Sequence, residues 1–448
     1  MYRKIFFVFF VFAFSCKPNL KNPKPSSGSV NLSKFVAIGG TFMAGYQDWS
    51  LNKAGQTYSI PALLSTEFQK TGGGSLNQPL MPDNFGLGLD SKYWENVYFK
   101  TATLNFATDC KGVSSLMPIV NSFPYSSAST YLSHQGGGFQ NLSVPYAKIS
   151  DYNNSALGNT VFSVNANPYY ARFSSNPGTS TMLSDAKAQQ PTFFALWAGM
   201  EDIYDYASNG GYGKTILSSS LFSTKLDSVI QNFGIKGVIA NIPDLASFPF
   251  YTTIPYNGMT ISRRLKDSLN MLYFGDSLYS KNKAFHVGNN GFMIADQQDT
   301  SHPINGYRHL TNRDYILLTV PLDSMKCHYL GAFSVLPDRY VLDSAEVVVV
   351  EQAIANYNTV ITAKAQQYNL ALVDMNSYFK NVSSGIKWNG VNFNAQFVSG
   401  GFFSLDGYCP NQIGYSLIAN EFIKAINTKY QSSIPWVNCT ECSGVKFP

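Results

Sequence analysis

The sequence predicts a doubly wound α/β fold: a parallel sheet flanked by helices, with long loop-rich insertions. Three observations predict it. Short apolar runs end in Gly or Asp, as buried parallel strands do at the edge where ligands gather: FVAIGG from Phe35, FFALWAG from Phe193, KGVIANIPD from Lys236 and LALVDM from Leu370. Stretches with helical periodicity lie between and after them, PALLSTEFQKT from Pro61, SAEVVVVEQAIANYNTVITAKAQQY from Ser344 and NQIGYSLIANEFIKAINTKY from Asn411. Two segments, about 78–190 and 244–336, are rich in Gly, Ser, Asn, Tyr and Phe and show little helical pattern, which marks them as insertions.

The chain opens with two cations, Arg3 and Lys4, before the apolar run Ile5–Phe14, then Ser15 and Cys16. This reads as a secretory leader over residues 1–15. The run is too short for a membrane-spanning helix, which takes about 20 residues. Cys16 directly after it resembles a bacterial lipobox, so a lipid on Cys16 is expected to tether the chain to a membrane. Residues 16–34, rich in Pro, Asn, Ser and Lys, then read as a flexible tether. No acidic cluster follows the cysteine, which favours an outer-membrane location facing the periplasm. The single domain is expected over residues 35–438, with a tail over 439–448.

Composition bounds the rest. At 448 residues, 45% hydrophobic and 13% charged, the chain can bury a large core. A formal charge of +5, dispersed along the sequence, excludes a nucleic-acid surface. Cys110, Cys327, Cys409, Cys439 and Cys442 remain after Cys16, an odd number, so at least one stays unpaired within the chain. Cys439 and Cys442 have metal-ligand or redox spacing, yet there is no second such pair; a local disulfide or a mobile tail is the plainer account. The five histidines are scattered without ligand spacing, and neither metal nor cofactor is expected.

Four blocks in order resemble the SGNH, or GDSL-type, hydrolase family, and in particular its large lipoprotein members: FVAIGGTFMAGYQD from Phe35, NLSVPYAKISD from Asn141, LWAGMEDIYDYAS from Leu196 and FFSLDGYCPNQIGYSLIANEFI from Phe402. The resemblance implies a flavodoxin-like sheet and ester hydrolysis by a serine, a histidine and an aspartate. The family's Gly-Asp-Ser is here Gly39, Gly40 and Thr41, and its Asp-x-x-His keeps Asp406 but has Cys409 in place of histidine. Threonine retains a hydroxyl, but its methyl crowds attack and restricts χ1; a thiol cannot take histidine's part as proton shuttle.

The oxyanion hole implied by the resemblance is altered too. Thr41 and Tyr146 can offer backbone N–H groups, provided Tyr146 adopts a glycine's backbone angles, while Glu201 stands where the family has an asparagine. An ionised carboxylate donates nothing, and loss of one such donor costs about 3 kcal/mol or more. The competing readings are that Thr41 caps the first helix, that Cys409 is a buried residue or disulfide partner, and that Glu201, Asp202 and Asp406 form a carboxylate cluster, structural or catalytic. The expected protein is therefore a lipid-anchored pseudoenzyme whose degenerate cleft binds a glycan or acylated ligand. A divergent ester hydrolase using Thr41, with Glu201 or Asp406 as base, and a structural or partner-binding outer-membrane lipoprotein are the alternatives.

Overall fold

The computed structural model describes residues 24–88, 98–124, 131–160, 165–274, 284–295 and 306–448. The leader and Cys16 lie outside them. Along the chain come β1 (Phe35–Gly39), α1 (Thr41–Ala44), α2 (Ile60–Gln69), a hairpin of β2 (Tyr98–Thr108) and β3 (Ser114–Pro124), α3 (Met182–Ala188), β4 (Phe193–Trp197), α4 (Met200–Ala207), α5 (Ser219–Phe233) and β5 (Gly237–Ala240). Then follow α6 (Leu322–Cys327), α7 (Ser344–Gln367), β6 (Ala371–Val373), α8 (Met375–Ser384) and α9 (Gln412–Tyr430).

The central sheet is parallel, in the order β1-β4-β5-β6. Phe35 pairs with Phe193, Phe194 with Gly237, and Val238 with Ala371. On the free side of β1 the second sequence block runs alongside as a fifth strand: Ala37 N–H donates to Gln140 O at 2.9 Å, Leu142 N–H to Ala37 O at 2.8 Å and Val144 N–H to Gly39 O at 3.0 Å. In chain order the five segments lie 2-1-3-4-5, the flavodoxin-like arrangement, whose crevice opens at the carboxyl ends of the strands. Every residue of β1, β4 and β5 is buried, as expected for a sheet covered on both faces.

Two helices show how sequence sets the layers. In α7 the buried residues Val347, Val350, Ile354, Tyr357, Ile361 and Ala365 fall on one stripe at helical spacing, and Asp343 and Glu346 close its N-terminus as a capping box. Asn411 caps α9 through Gly414 N–H at 2.9 Å, and a β-carbon on Gly414 would lie 2.2 Å from Phe402 O, so only glycine admits that close approach. Helix α9 packs on α2, and α7 on α5.

The insertions carry more order than their composition suggests. The first folds the β2–β3 hairpin, whose register runs from Tyr98–Pro124 to Thr108–Ser114; Pro118 within β3 hides that strand from a pattern search. The second contains a helix, Arg263–Phe274, and builds a small core of its own around Ile261, Leu269, Met293 and Leu336. Cys110 and Cys327 form a disulfide that joins the hairpin to α6, and so the first insertion to the second. The segment read as a tether is packed from Ser26 onward: Ser433 N–H donates to Ser26 O at 2.9 Å, Ser29 N–H to Tyr430 O at 3.0 Å, and Val30 and Leu32 enter the main core. Among the described residues, no helix is long and apolar enough to cross a membrane.

Candidate functional site

The four sequence blocks meet where the strands end. Gly40 precedes α1 at the end of β1, and Thr41 is the first residue of that helix. No side chain caps α1, so Thr41 is not a capping hydroxyl. Its Oγ1 instead accepts a hydrogen bond from Tyr146 N–H at 3.1 Å. Tyr146 sits at φ 64°, the left-handed geometry that the family's glycine would supply without strain. The two backbone donors expected of an oxyanion hole are therefore present and both are already engaged, because Thr41 N–H donates to Glu201 Oε1 at 2.7 Å.

Glu201 lies in the first turn of α4, behind Gly199 at φ 92°. Its side chain packs over Gly40, where a β-carbon would come within 2.4 Å of Oε1. Burial pushes the Glu201 carboxyl up to about 7, held back by the hydroxyl and the N–H of Thr41. The carboxylate oxygen thus occupies one of the N–H groups that would receive a substrate oxyanion.

Asp406 accepts from Tyr408 N–H at 2.9 Å and Cys409 N–H at 2.7 Å, forming a tight turn before α9. Burial raises its pKa, and these N–H donors oppose the rise. The Cys409 thiol is pushed well up by burial and then by the negative neighbours Asp406 and Glu201, so it stays a thiol, and it is unpaired. Cys439 and Cys442 are also free thiols, at the two ends of a 3₁₀ turn with Cys439 buried, so the local disulfide expected of this tail is not formed. Among the described residues no group of three or more His, Cys, Asp or Glu could hold a metal.

The carboxylate set differs from the expected one. Asp202 turns aside to accept from Ile149 N–H at 3.0 Å; burial pushes it up to about 6. Its place beside Asp406 is taken by Asp48, which accepts from Leu405 N–H at 2.9 Å and is pushed up to about 7, first by burial and further by Asp406. Asp48 and Trp49 are consecutive residues with positive φ, 53° and 63°. That strain is concentrated at the site, as is common where geometry is dictated by function or its remnant. The sequence offered one signal for Asp48, its position at the end of the first block.

Aromatic rings fill the strand ends. Tyr146 hydroxyl donates to Tyr46 hydroxyl at 2.9 Å, which donates onward to Trp49 O at 2.6 Å. Tyr415 hydroxyl donates to Tyr46 O. Tyr408 stacks on Tyr204 at 3.9 Å between ring centres and lies 5.1 Å from Phe42. Thr41, Glu201, Asp406 and Cys409 are consequently each 5% exposed or less. The strand ends, where the resemblance implies a cleft, are filled by the chain's own side chains, Phe42, Tyr46, Tyr146 and Tyr408 among them.

Among the described histidines, His134 Nε2 pairs with Ser174 O and His309 Nδ1 with Gly291 O, while His286 and His328 are exposed. None of these hydrogen-bonds Thr41 or Asp406. His302 lies outside the described residues.

The sheet order defines an SGNH-like α/β fold, and Thr41, Tyr146, Glu201 and Asp406 converge at its strand ends. Among solved structures the chain is similar to LAE5, an alpha/beta hydrolase enzyme from the metagenome of Lake Arreo, Spain, at 10% identity and a TM-score of 0.36 over 88% of this chain and 95% of that one. It is also similar to a protein named as a GDSL-like lipase from Parabacteroides merdae, at 11% identity and a TM-score of 0.32 over 89% and 99%. Likenesses this distant concern the fold and bear on neither activity nor substrate. No family model matches the chain, and no curated protein matches it.

Proposed function

We propose that this protein is a lipid-anchored, SGNH-like component of the cell envelope that binds rather than hydrolyses. The observation that carries this reading is the Glu201 carboxylate seated on Thr41 N–H, with no imidazole on the Thr41 hydroxyl among the described residues. Attack on an ester requires a base for the hydroxyl proton and free donors for the oxyanion. Here the donor is taken by an acid that would repel the same charge.

The ligand class is a glycan or acylated glycan. With the strand ends filled, the surface left to it is the part-exposed pair Trp49 and Tyr146, linked through the Tyr46 hydroxyl, whose rings offer stacking faces. A thermal-shift screen against oligosaccharides and their O-acetylated forms tests this. Stabilisation that Trp49→Ala and Tyr146→Ala abolish supports it; no shift with any saccharide counts against it.

One observation favours the divergent hydrolase as a second reading: Glu201, pushed up to about 7, has the proton affinity of a general base and takes hydrogen bonds from both the hydroxyl and the N–H of Thr41. Turnover of short-chain p-nitrophenyl esters that Thr41→Ala abolishes would establish it and overturn the binding-only reading.

A further inference from the structure

The end of the sheet opposite Thr41 carries an accumulation of lysines that the site does not use. Lys34 stands immediately before β1 and Lys236 immediately before β5; both are exposed. Their ammonium groups meet neutral oxygens, Lys34 Nζ on Gln190 Oε1 at 2.9 Å and Lys236 Nζ on Ser29 O at 2.7 Å. Lys187 and Lys429, also exposed, lie in the last turns of α3 and α9. Lys24 joins them through its carbonyl, which accepts from Ser433 Oγ at 3.2 Å.

These residues share one end of the molecule. Tyr430, next to Lys429, accepts from Ser29 N–H, and its ring lies 5.6 Å from Lys236 Nζ. Gln190, just past α3, holds Lys34. Two acids are already matched with other lysines, Glu67 with Lys70 and Asp227 with Lys364, and Asp185 accepts from Tyr170 and Ser175. Among the described residues no carboxylate lies within ion-pair distance of Lys24, Lys34, Lys187, Lys236 or Lys429. Helix C-termini attract cations, which accounts for Lys187 and Lys429. It does not account for Lys24, Lys34 and Lys236, which precede strands or the packed N-terminal segment.

The second observation is where the chain leaves the domain. The packed N-terminal segment reaches this same end at Ser26 and Lys24, and Cys16 is eight residues before Lys24, so even a fully extended connection spans at most about 29 Å. A short connection raises the effective concentration of the end it leaves from at the membrane. Weak contacts between lysines and phosphates then suffice, since they act within a Debye length of about 8 Å.

We propose that the end bearing Lys24, Lys34, Lys187, Lys236 and Lys429 is the membrane-apposed face of this protein, seated on anionic phospholipid headgroups. This rests on the lipid-anchor reading of Cys16 for its proximity, while the charge surface stands on the fold. It places Thr41 and the tyrosine-filled strand ends on the side away from the bilayer, a five-residue strand or roughly 17 Å further out.

The test uses the full chain extracted from membranes and reconstituted into vesicles of phosphatidylcholine alone or of equimolar phosphatidylcholine and phosphatidylglycerol. A water-soluble acylating reagent followed by peptide mass spectrometry reads each lysine, with exposed Lys111 in the turn of the hairpin as the control. We expect modification of Lys34, Lys187, Lys236 and Lys429 to slow about fivefold or more in the anionic vesicles and to recover in high salt, with Lys111 unchanged. Equal rates in both vesicles overturn the proposal.

Intact mass separates the two readings. Acyl groups on Cys16 without lysine protection sink the surface and leave the anchor standing. An unmodified Cys16 sinks the anchor, and the Cys16→Ser chain then decides the surface alone. Salt-sensitive pelleting with anionic vesicles, lost in Lys34→Glu/Lys236→Glu/Lys429→Glu, supports the surface; no pelleting overturns it.

Discussion

A β-carbon on Gly40 would lie 2.4 Å from Oε1 and 2.6 Å from Cγ of Glu201. Gly40 and Glu201, the two positions at odds with the motif the sequence resembles, are therefore coupled by direct packing. Glu201 fills the volume that a side chain at 40 would need, and Thr41 N–H holds it there.

That coupling can be measured. Gly40→Asp alone forces a second carboxylate against a buried one and should destabilise the protein by about 2 kcal/mol or more, through overpacking and like-charge repulsion. Glu201→Asn should relieve it, so the double variant is more stable than Gly40→Asp. A denaturant-melt cycle should show a coupling of about 1 kcal/mol or larger; additive effects would mean that the two positions are independent.

The pH dependence has a definite sign. The unfolded chain releases the Glu201 proton near its ordinary 4.5, whereas the folded protein holds it to about 7. Over that interval the native state binds more protons, so stability is highest below the unfolded value, falls as pH rises, and levels off above about 7. Asp48 and Asp202, raised to about 7 and about 6 from 3.8, act in the same direction. Glu201→Gln keeps an acceptor for Thr41 N–H without the charge. It should leave the melting temperature unchanged near pH 4 and raise stability near pH 8, by at most about 3 kcal/mol.

The Cys110–Cys327 disulfide closes a separation of 217 residues and joins the two insertions. The hairpin also reaches the site, since Ala102 N–H donates to Asp48 O at 2.7 Å and Ala102 and Leu104 pack on Leu405. Cys110→Ser/Cys327→Ser, or a reductant, should cost about 2–5 kcal/mol. Limited proteolysis should then cut first in the hairpin, near Gly112. An unchanged melt and digest would show that the hairpin is held by its other contacts.

Thiol labelling separates the remaining cysteines. Burial raises Cys409 and Cys439, and the half-buried Cys442 thiol is pushed up to about 11. In native protein at neutral pH, a maleimide should leave Cys409 unmodified for as long as the fold persists and reach Cys442 slowly. Rapid labelling of Cys409 would indicate an open, reactive site.

Much of the scaffold is legible from periodicity. The stripe Val347, Val350, Ile354, Tyr357, Ile361 and Ala365, and the runs that become β1, β4, β5 and β6, announce themselves because burial on one stripe or on both sheet faces imposes a local repeat. The β2–β3 hairpin did not, since Pro118 interrupts its pattern and its partner is a neighbouring strand. Val30 and Leu32 were read as linker because two apolar residues make no period.

The primary structure by itself determined the α/β class, the order of the four blocks and the identities of Thr41, Cys409 and Glu201 within them, because these depend on residue identity and spacing alone. Only the tertiary structure decided that Asp48, not Asp202, stands with Asp406, that Tyr146 takes a left-handed backbone, and that Glu201 sits on Thr41 N–H over the bare face of Gly40. Those outcomes turn on distances of a few ångströms between residues up to 357 positions apart. Close packing and hydrogen-bond satisfaction across the whole core settle such distances, and no local pattern encodes them.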